Sequence, residues 1–240
     1  MSGVGVEPEV VGKGASADVV AWGPGKVAKL FHPRWAYSLD MELERARAVQ
    51  SLGAPCPAVF ERIEHEGRSG IVYERIDGPL LSKGLRDGSV PPARVAETLA
   101  ELHLRLHALR VPADSTLPRV TDSIARFLEQ EPAEHRDAAR AELAQVPIDT
   151  GLCHMDLHPG NVIVRDGGLV VVDWVNACSG TLALDVARSF TLLAYHTAKA
   201  GFAPGELERA LGFAATALLR GERNNLFASE LRALIDWRPS

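Results

Sequence analysis

Three polar side chains that could carry out one reaction lie close together between residues 152 and 174. Asp156 and Asn161 are separated by Leu-His-Pro-Gly, and Asp173 follows the apolar run 169–172. A carboxylate can accept the proton of a hydroxyl nucleophile. Carboxylate and amide oxygens are hard ligands of the kind that Mg²⁺ takes. We therefore expect Asp156 to be a catalytic base and Asn161 and Asp173 to bind a metal, as magnesium-dependent phosphoryl transfer requires.

The segment from Asn161 to Asp173 has the pattern of a β-hairpin. Two runs rich in Val, Ile and Leu flank Asp166-Gly167-Gly168, a sequence that suits a tight turn. The hairpin would return the chain so that Asp173 lies near Asn161 and both can share one Mg²⁺–ATP. Each residue alone would indicate only a turn, and it is their combination that favours catalysis. His154 and His158 are expected to support the loop rather than to take part in the chemistry.

The stretch His-Met-Asp-Leu-His-Pro-Gly-Asn at 154–161, followed by Asp173-Trp174, resembles the aminoglycoside phosphotransferase and choline kinase-like family. The members of that family are small-molecule kinases with the protein-kinase fold, so the resemblance implies ATP or GTP as phosphoryl donor and Mg²⁺ as cofactor. Met155 stands where the family usually has glycine, and its bulk is expected to narrow the acceptor site beside Asp156. The motif-level resemblance covers about residues 10–195.

The resemblance implies a nucleotide-binding lobe before the catalytic segment. Gly12, Gly14 and Ser16 belong to a glycine-rich turn between two strand-like runs, where backbone N–H groups could hold phosphates. Lys29 alternates onto one face of a β-prone run and resembles the phosphate-binding lysine of the third kinase strand. Lys26 is the competing candidate, but its place in a turn favours a solvated side chain.

A helix should carry a glutamate that orients Lys29. Ser38 is expected to cap this helix, and Gly53 to follow its end. The family has a Gly-x-Pro-x-Pro motif after the helix, and this chain has it at 53–57. Counting back from that motif selects Glu42 as the partner, with Glu44 as the alternative if the helix register differs.

We expect an α+β, bilobal protein-kinase-like fold. Its N-lobe, residues 1–76, should be a five-stranded antiparallel sheet with one helix, and its C-lobe, residues 77–240, should be helical apart from the catalytic hairpin. By the same resemblance, adenine would bond to main-chain atoms of the hinge near Glu74 and Ile76. Asp185 should anchor the catalytic loop.

Composition sets limits on partners and location. The chain has 240 residues, 46% of them hydrophobic, and a net charge of −5, which disfavours nucleic acid as partner. Its three cysteines form no Cys-x-x-Cys pair and so predict reduced thiols. The sequence has neither a signal-peptide pattern nor an apolar stretch of membrane-spanning length. We expect a cytoplasmic enzyme without a membrane partner, and the oligomeric state stays open.

The acceptor is expected to be a small molecule with a hydroxyl group. The interval from Asp173 to Asp185 is too short for the activation loop of a protein kinase. An aminoglycoside-like or other antibiotic is one candidate, and a choline, homoserine or sugar-type metabolite is an alternative. A nucleotide-binding pseudokinase with a regulatory role is a third, although the intact motif counts against it. The acceptor site should come from residues 116–145 and helices at 206–220 and 229–237, and a cationic acceptor could meet the carboxylates of Glu129, Glu131, Glu134, Glu206 and Glu208.

Overall fold

The computed structural model describes residues 8–129, 133–146 and 149–189, and the expected helices beyond residue 189 lie outside this range. The amino-terminal half forms the expected five-stranded antiparallel sheet, in the order β1-β2-β3-β5-β4. Its strands are β1 (Val10–Lys13), β2 (Ala17–Ala21), β3 (Lys26–Phe31), β4 (Val59–His65) and β5 (Arg68–Glu74).

Alternation along β3 decides where Lys29 lies. Ala28 and Leu30 face one side of the sheet and join an apolar cluster there. Phe31 packs in a separate cluster with Leu39, the first residue of helix α1. Because side chains two residues apart share one face of a strand, Lys29 lies on the same side as Phe31, towards α1.

Helix α1 spans Leu39–Ser51 and begins differently from our expectation. A 3-10 turn, Pro33–Ser38, runs directly into it. Ser38 is therefore itself helical (φ −86°, ψ −8°), and its hydroxyl donates to the carbonyl of Trp35 at 2.7 Å. The predicted Ser38 cap is wrong, because an N-cap needs extended backbone at that residue. The other end agrees with the sequence, since Gly53 follows the helix with φ +74°.

The chain crosses to the second half through Gly78, which lies against the catalytic hairpin. A Cβ atom at Gly78 would lie 2.1 Å from the carbonyl oxygen of Val164, and its φ of +152° also favours glycine. Among the described residues, five α-helices follow: α2 (Leu81–Asp87), α3 (Pro92–His107), α4 (Val120–Leu128), α5 (Ala133–Leu143) and α6, described over 182–189. No helix in the described ranges is both long enough and apolar enough to cross a bilayer.

The apolar face of α3 forms the main core with the catalytic segment. Leu99, Leu102 and Leu106 of the helix are at most 2% exposed and belong to one cluster with Leu157 and Val171. The backbone immediately after Asp156 is thereby held in place by burial. Helices α4 and α5 contact each other.

The expected catalytic hairpin is present. Its strands are β7 (Val162–Arg165) and β8 (Gly168–Val171), and Val162 pairs with Val171. The expectation that the rest of this half is helical is wrong, because β6 (Gly151–Cys153) and β9 (Cys178–Gly180) form a second small sheet. Strands of three residues, buried throughout, are too short to show alternation in the sequence.

The small sheet sets Cys153 opposite Cys178, immediately before the catalytic loop. Both side chains are fully buried. Hydrogen bonding with Cys178 and burial raise the pKa of the Cys153 thiol. The thiolate is therefore strongly disfavoured, and Cys153 serves packing rather than nucleophilic chemistry.

Candidate active site

Lys29 of β3 contacts Glu42 of α1, as counting along the sequence predicted. Its Nζ donates to both carboxylate oxygens, at 2.7 and 2.8 Å. Glu42 is only 3% exposed, whereas Glu44 is exposed to solvent. The register of α1 therefore selects Glu42.

Asp173 brings the catalytic hairpin to the same lysine. Its Oδ1 lies 2.9 Å from Lys29 Nζ, although 144 residues separate the two in the sequence. Burial alone would lower the pKa of Lys29, but the carboxylates of Glu42 and Asp173 outweigh it and raise that pKa. Burial would conversely raise the pKa of Asp173, and Lys29 outweighs it and holds that pKa below the usual range. The ionised forms of Lys29 and Asp173 therefore support each other.

Two further side chains hold this cluster, and the sequence analysis missed both. The hydroxyl of Tyr73, on β5, donates to Glu42 Oε1 at 3.1 Å. Arg45, three residues after Glu42 on α1, donates to the carbonyl of Val175, just beyond Asp173. The spacing of Glu42 and Arg45 on one helix face was the available signal for the second contact.

Asn161 is placed between Asp156 and Asp173. Its Nδ2 donates to the backbone carbonyl of Asp156 at 3.0 Å and lies 3.4 Å from Asp156 Oδ2. Its backbone carbonyl accepts from the N–H of Val172 at 2.9 Å, so Asn161 lies across the hairpin from the residue before Asp173. Since Nδ2 is used towards Asp156, the amide oxygen of Asn161 remains as a potential ligand.

The donor set of Asn161 and Asp173 fits Mg²⁺. Both offer hard oxygen atoms, and Mg²⁺ is usually held by one or two protein ligands together with phosphates and water. Within the described ranges, no group of three or more His, Cys, Asp and Glu side chains could hold a metal ion.

Asp156 has the environment of a base. Burial, and next the negative charge of Asp173, raise the pKa of its carboxyl to about 6. Arg188 and the hydrogen bond from Asn161 act in the opposite direction. A carboxylate with this pKa is still ionised at neutral pH and is a stronger base than an ordinary aspartate.

His154 supports the catalytic loop, as expected. It is fully buried, and burial lowers its pKa, so the ring is neutral. Nδ1 accepts from the backbone N–H of Asp156 at 3.2 Å, which leaves the proton on Nε2 to donate to the carbonyl of Val172 at 3.1 Å. The ring therefore links the loop to the strand that leads to Asp173. His158 accepts from the N–H of Gly160 at 3.0 Å, which tightens the loop before Asn161.

Asp185 anchors the loop, as expected, and does so from the start of α6. Its two carboxylate oxygens accept from the backbone N–H groups of His154, at 3.1 Å, and Met155, at 2.6 Å. His103, on α3, contacts the same carboxylate. Its Nδ1 lies 3.2 Å from Asp185 Oδ2 and its Nε2 lies 3.1 Å from Ser189 Oγ, so both ring nitrogens have hydrogen-bond partners.

Comparison with known families agrees with this geometry. Residues 7–221 match the model of the phosphotransferase enzyme family, APH. The chain belongs to this family. It is a phosphotransferase that acts on hydroxyl groups of small molecules. No curated protein matches the chain significantly.

Solved structures with the same fold support the assignment of a kinase-like fold to this phosphotransferase. An aminoglycoside-3′-phosphotransferase of type VIII has a TM-score of 0.62 and 23% identity, over 95% of this chain and 92% of that one. The aminoglycoside phosphotransferase APH(3″)-Id from Streptomyces rimosus has a TM-score of 0.59 and 20% identity, over 95% and 90%. Amicoumacin kinase hAmiN, in complex with AMP-PNP, Ca²⁺ and Ami, has a TM-score of 0.60 and 16% identity, over 90% of this chain and 73% of that one.

The glycine-rich segment of this phosphotransferase is shorter than expected. Gly12 lies within β1 and pairs with Val19, whereas Gly14 and Ser16 form the turn before β2. His32, the residue after β3, holds this turn in place. Its backbone N–H donates to the carbonyl of Ser16 at 2.9 Å. Its ring Nε2 lies 3.3 Å from the carbonyl of Gly14.

The expected hinge follows β5. Glu74 is the last residue of that strand, and its carboxylate accepts from the N–H of Ala58 at 3.1 Å. Ile76 follows it, half-buried, in the link that leads to Gly78. The side chain of Glu74 thus shapes the hinge, and any contact with a nucleotide base would fall to the backbone of this segment.

The departure from the family motif at Met155 has a structural consequence. Its φ of +62° lies in the left-handed region, where glycine fits best. Its side chain packs with Ile124 of α4 and Leu184 of α6 against a buried cluster. A β-carbon is therefore kept in an unfavourable backbone conformation, with a packing contact as compensation.

We expect Met155→Gly to be more stable than Met155→Ala. Both changes remove the thioether packing, but only glycine also removes the left-handed strain, which amounts to about 1 kcal/mol. Urea unfolding of the two variants measures the difference directly. A glycine variant equal to or less stable than the alanine variant would show that the loop stores no such strain.

Proposed function

We propose that this phosphotransferase transfers the γ-phosphoryl group of ATP or GTP to a hydroxyl of a small molecule, with Mg²⁺ as cofactor. The observation that carries the proposal is the convergence of Lys29, Asp156, Asn161 and Asp173 from three separate parts of the chain. A turn or a structural ion pair would not need the base, the two oxygen ligands and the lysine in one place.

Lys29 is suited to hold the phosphates of the nucleotide. Glu42 fixes its position through two hydrogen bonds, and Tyr73 in turn fixes Glu42. Lys29 remains charged because its carboxylate partners raise its pKa. Asn161 and Asp173 would hold Mg²⁺, which neutralises charge on the phosphates when it is bound.

Asp156 is suited to orient and deprotonate the acceptor. Its carboxylate accepts the hydroxyl proton while the hydroxyl oxygen forms a bond to the γ-phosphorus. The bond between that phosphorus and the oxygen bridging to the β-phosphate breaks, and the nucleoside diphosphate leaves with the electron pair. The products are a phosphate monoester and the diphosphate, and the proton passes from Asp156 to water.

The acceptor itself is less constrained by the comparisons. The solved relatives are named as aminoglycoside and amicoumacin kinases, but at 16–23% identity they support the fold and the reaction class rather than one substrate. Of the carboxylates expected to receive a cationic acceptor, Glu129 is exposed after α4. Glu131, Glu206 and Glu208, and the side chain of Glu134, lie outside the described residues.

We expect Asp156→Asn to abolish transfer and to leave Mg²⁺–ATP binding largely intact. Loss of a general base costs about 10²- to 10⁴-fold in rate, whereas the amide keeps the shape of the side chain. Single-turnover transfer and calorimetric titration with a non-hydrolysable ATP analogue measure the two effects. Transfer at a near wild-type rate would remove Asp156 from the mechanism.

The pH dependence of kcat/KM should report the ionisation of Asp156. Because burial raises its pKa to about 6, the base becomes protonated and inactive as the pH falls through that value. Activity should fall by about tenfold per pH unit below it. The profile is measured with saturating Mg²⁺–ATP and varied acceptor. A profile that stays flat well below this pKa would contradict the assignment.

We expect Asp173→Ala to weaken binding of the Mg²⁺–ATP analogue more than it weakens acceptor binding. The change removes one metal ligand and one partner of Lys29 together. Asp166→Ala is the matched control, because Asp166 is an exposed aspartate in the turn of the same hairpin. Calorimetry at several Mg²⁺ concentrations makes the comparison. Unchanged affinity and unchanged Mg²⁺ dependence in the Asp173 variant would refute the role.

A further inference from the structure

Helix α6 brings an arginine to the side of Asp156. Asp185 of this helix binds the backbone of Met155, and Leu184 packs in the same apolar cluster as that residue. Arg188 follows Asp185 by three residues and Leu184 by four. Residues with these spacings lie on one face of a helix, so Arg188 continues the face of α6 that meets the catalytic loop.

Met155 directly precedes Asp156 in the chain, so the face of α6 that carries Arg188 lies beside the catalytic carboxylate. The side chain of Arg188 is nevertheless exposed, so the guanidinium can also meet a bound molecule. Because Asp156 would receive the acceptor hydroxyl, Arg188 lies where the neighbouring groups of that acceptor would be.

The charge and the surface beside Asp156 favour one class of acceptor. A guanidinium binds carboxylate and phosphate groups through paired hydrogen bonds and repels ammonium groups. The other neighbours described on this side, Ile124, Met155 and Leu184, are apolar. They offer no compensating negative charge to a cation.

We propose that Arg188 determines acceptor specificity and that the acceptor carries a carboxylate or phosphate group near the hydroxyl that is phosphorylated. This inference rests on the proposed function, because it assumes transfer to a hydroxyl held by Asp156. An anionic acceptor differs from the acceptors that the names of the solved relatives suggest, because two of those relatives are named for aminoglycosides.

The test is a set of acceptors matched in skeleton and different in charge. One series is glycerol, glycerate, glycerol 3-phosphate and 3-aminopropane-1,2-diol, and a second is glucose, gluconate, glucose 6-phosphate and glucosamine, with kanamycin as a polycation. Release of ADP and formation of phosphate ester give kcat/KM for each compound with Mg²⁺–ATP. We expect the carboxylate or the phosphate compound of each series to have the highest kcat/KM. Comparison of these two compounds shows which anionic group the enzyme prefers.

Variants of Arg188 then assign the preference to this side chain. We expect Arg188→Gln to lower kcat/KM for the preferred anionic acceptor by about 10- to 100-fold, the usual range for a lost charge-assisted hydrogen bond, with KM for ATP unchanged. Arg188→Lys should retain part of the preference, and Arg188→Glu should shift it towards the ammonium compounds. Arg105→Gln, an exposed arginine on α3, is the control and should behave as the wild type.

Each other outcome overturns the inference. Preference of the wild type for neutral or ammonium acceptors would refute it and leave the proposed kinase function standing. An equal loss for all charge classes in Arg188→Gln would mean that Arg188 acts through Asp156 and not on the acceptor. If no compound is phosphorylated although Mg²⁺–ATP binds, the proposed function fails and the inference fails with it.

Discussion

A buried carboxylate, Asp185, fixes the catalytic loop of this phosphotransferase. It is 1% exposed, and a charge so deeply buried is tolerated only with several hydrogen-bond donors. The donors are the backbone N–H groups of His154 and Met155, together with His103. Burial would raise the pKa of Asp185, but His103 outweighs it and lowers that pKa. The loop conformation, including the left-handed Met155, is therefore tied to the ionised form of one side chain.

The charges around Lys29 explain why this site suits a divalent cation. Lys29 contacts both Glu42 and Asp173, and Asp156 adds a third carboxylate nearby. One lysine does not balance three carboxylates, and the charge of Asp173 adds to burial in raising the pKa of Asp156. Mg²⁺ bound by Asn161 and Asp173 would relieve that imbalance.

The parts of the site that a sequence can predict are those that follow from local spacing. Asp156, Asn161 and Asp173 lie on one loop and hairpin, and Glu42 was found by counting back from the motif that follows its helix. The contacts of His103, Tyr73 and Arg188 depend on which helix or strand packs beside the loop, and no local pattern encodes that choice. Ser38 was misassigned because its residue type suits a cap, while the preceding 3-10 turn decided its backbone conformation.

In the proposed mechanism, the nucleotide and the acceptor bind on different sides of the loop that Asp185 anchors. The nucleotide would bind to the sheet, α1 and the hairpin, whose residues match the family motifs. The acceptor would bind beside α4 and α6. Because Asp185, in the first turn of α6, binds the loop backbone, the position of Asp156 does not depend on the side chain one turn later. A change at Arg188 would therefore alter acceptor binding while Asp156 keeps its place. This separation gives a physical reason why family membership establishes the reaction but not the substrate.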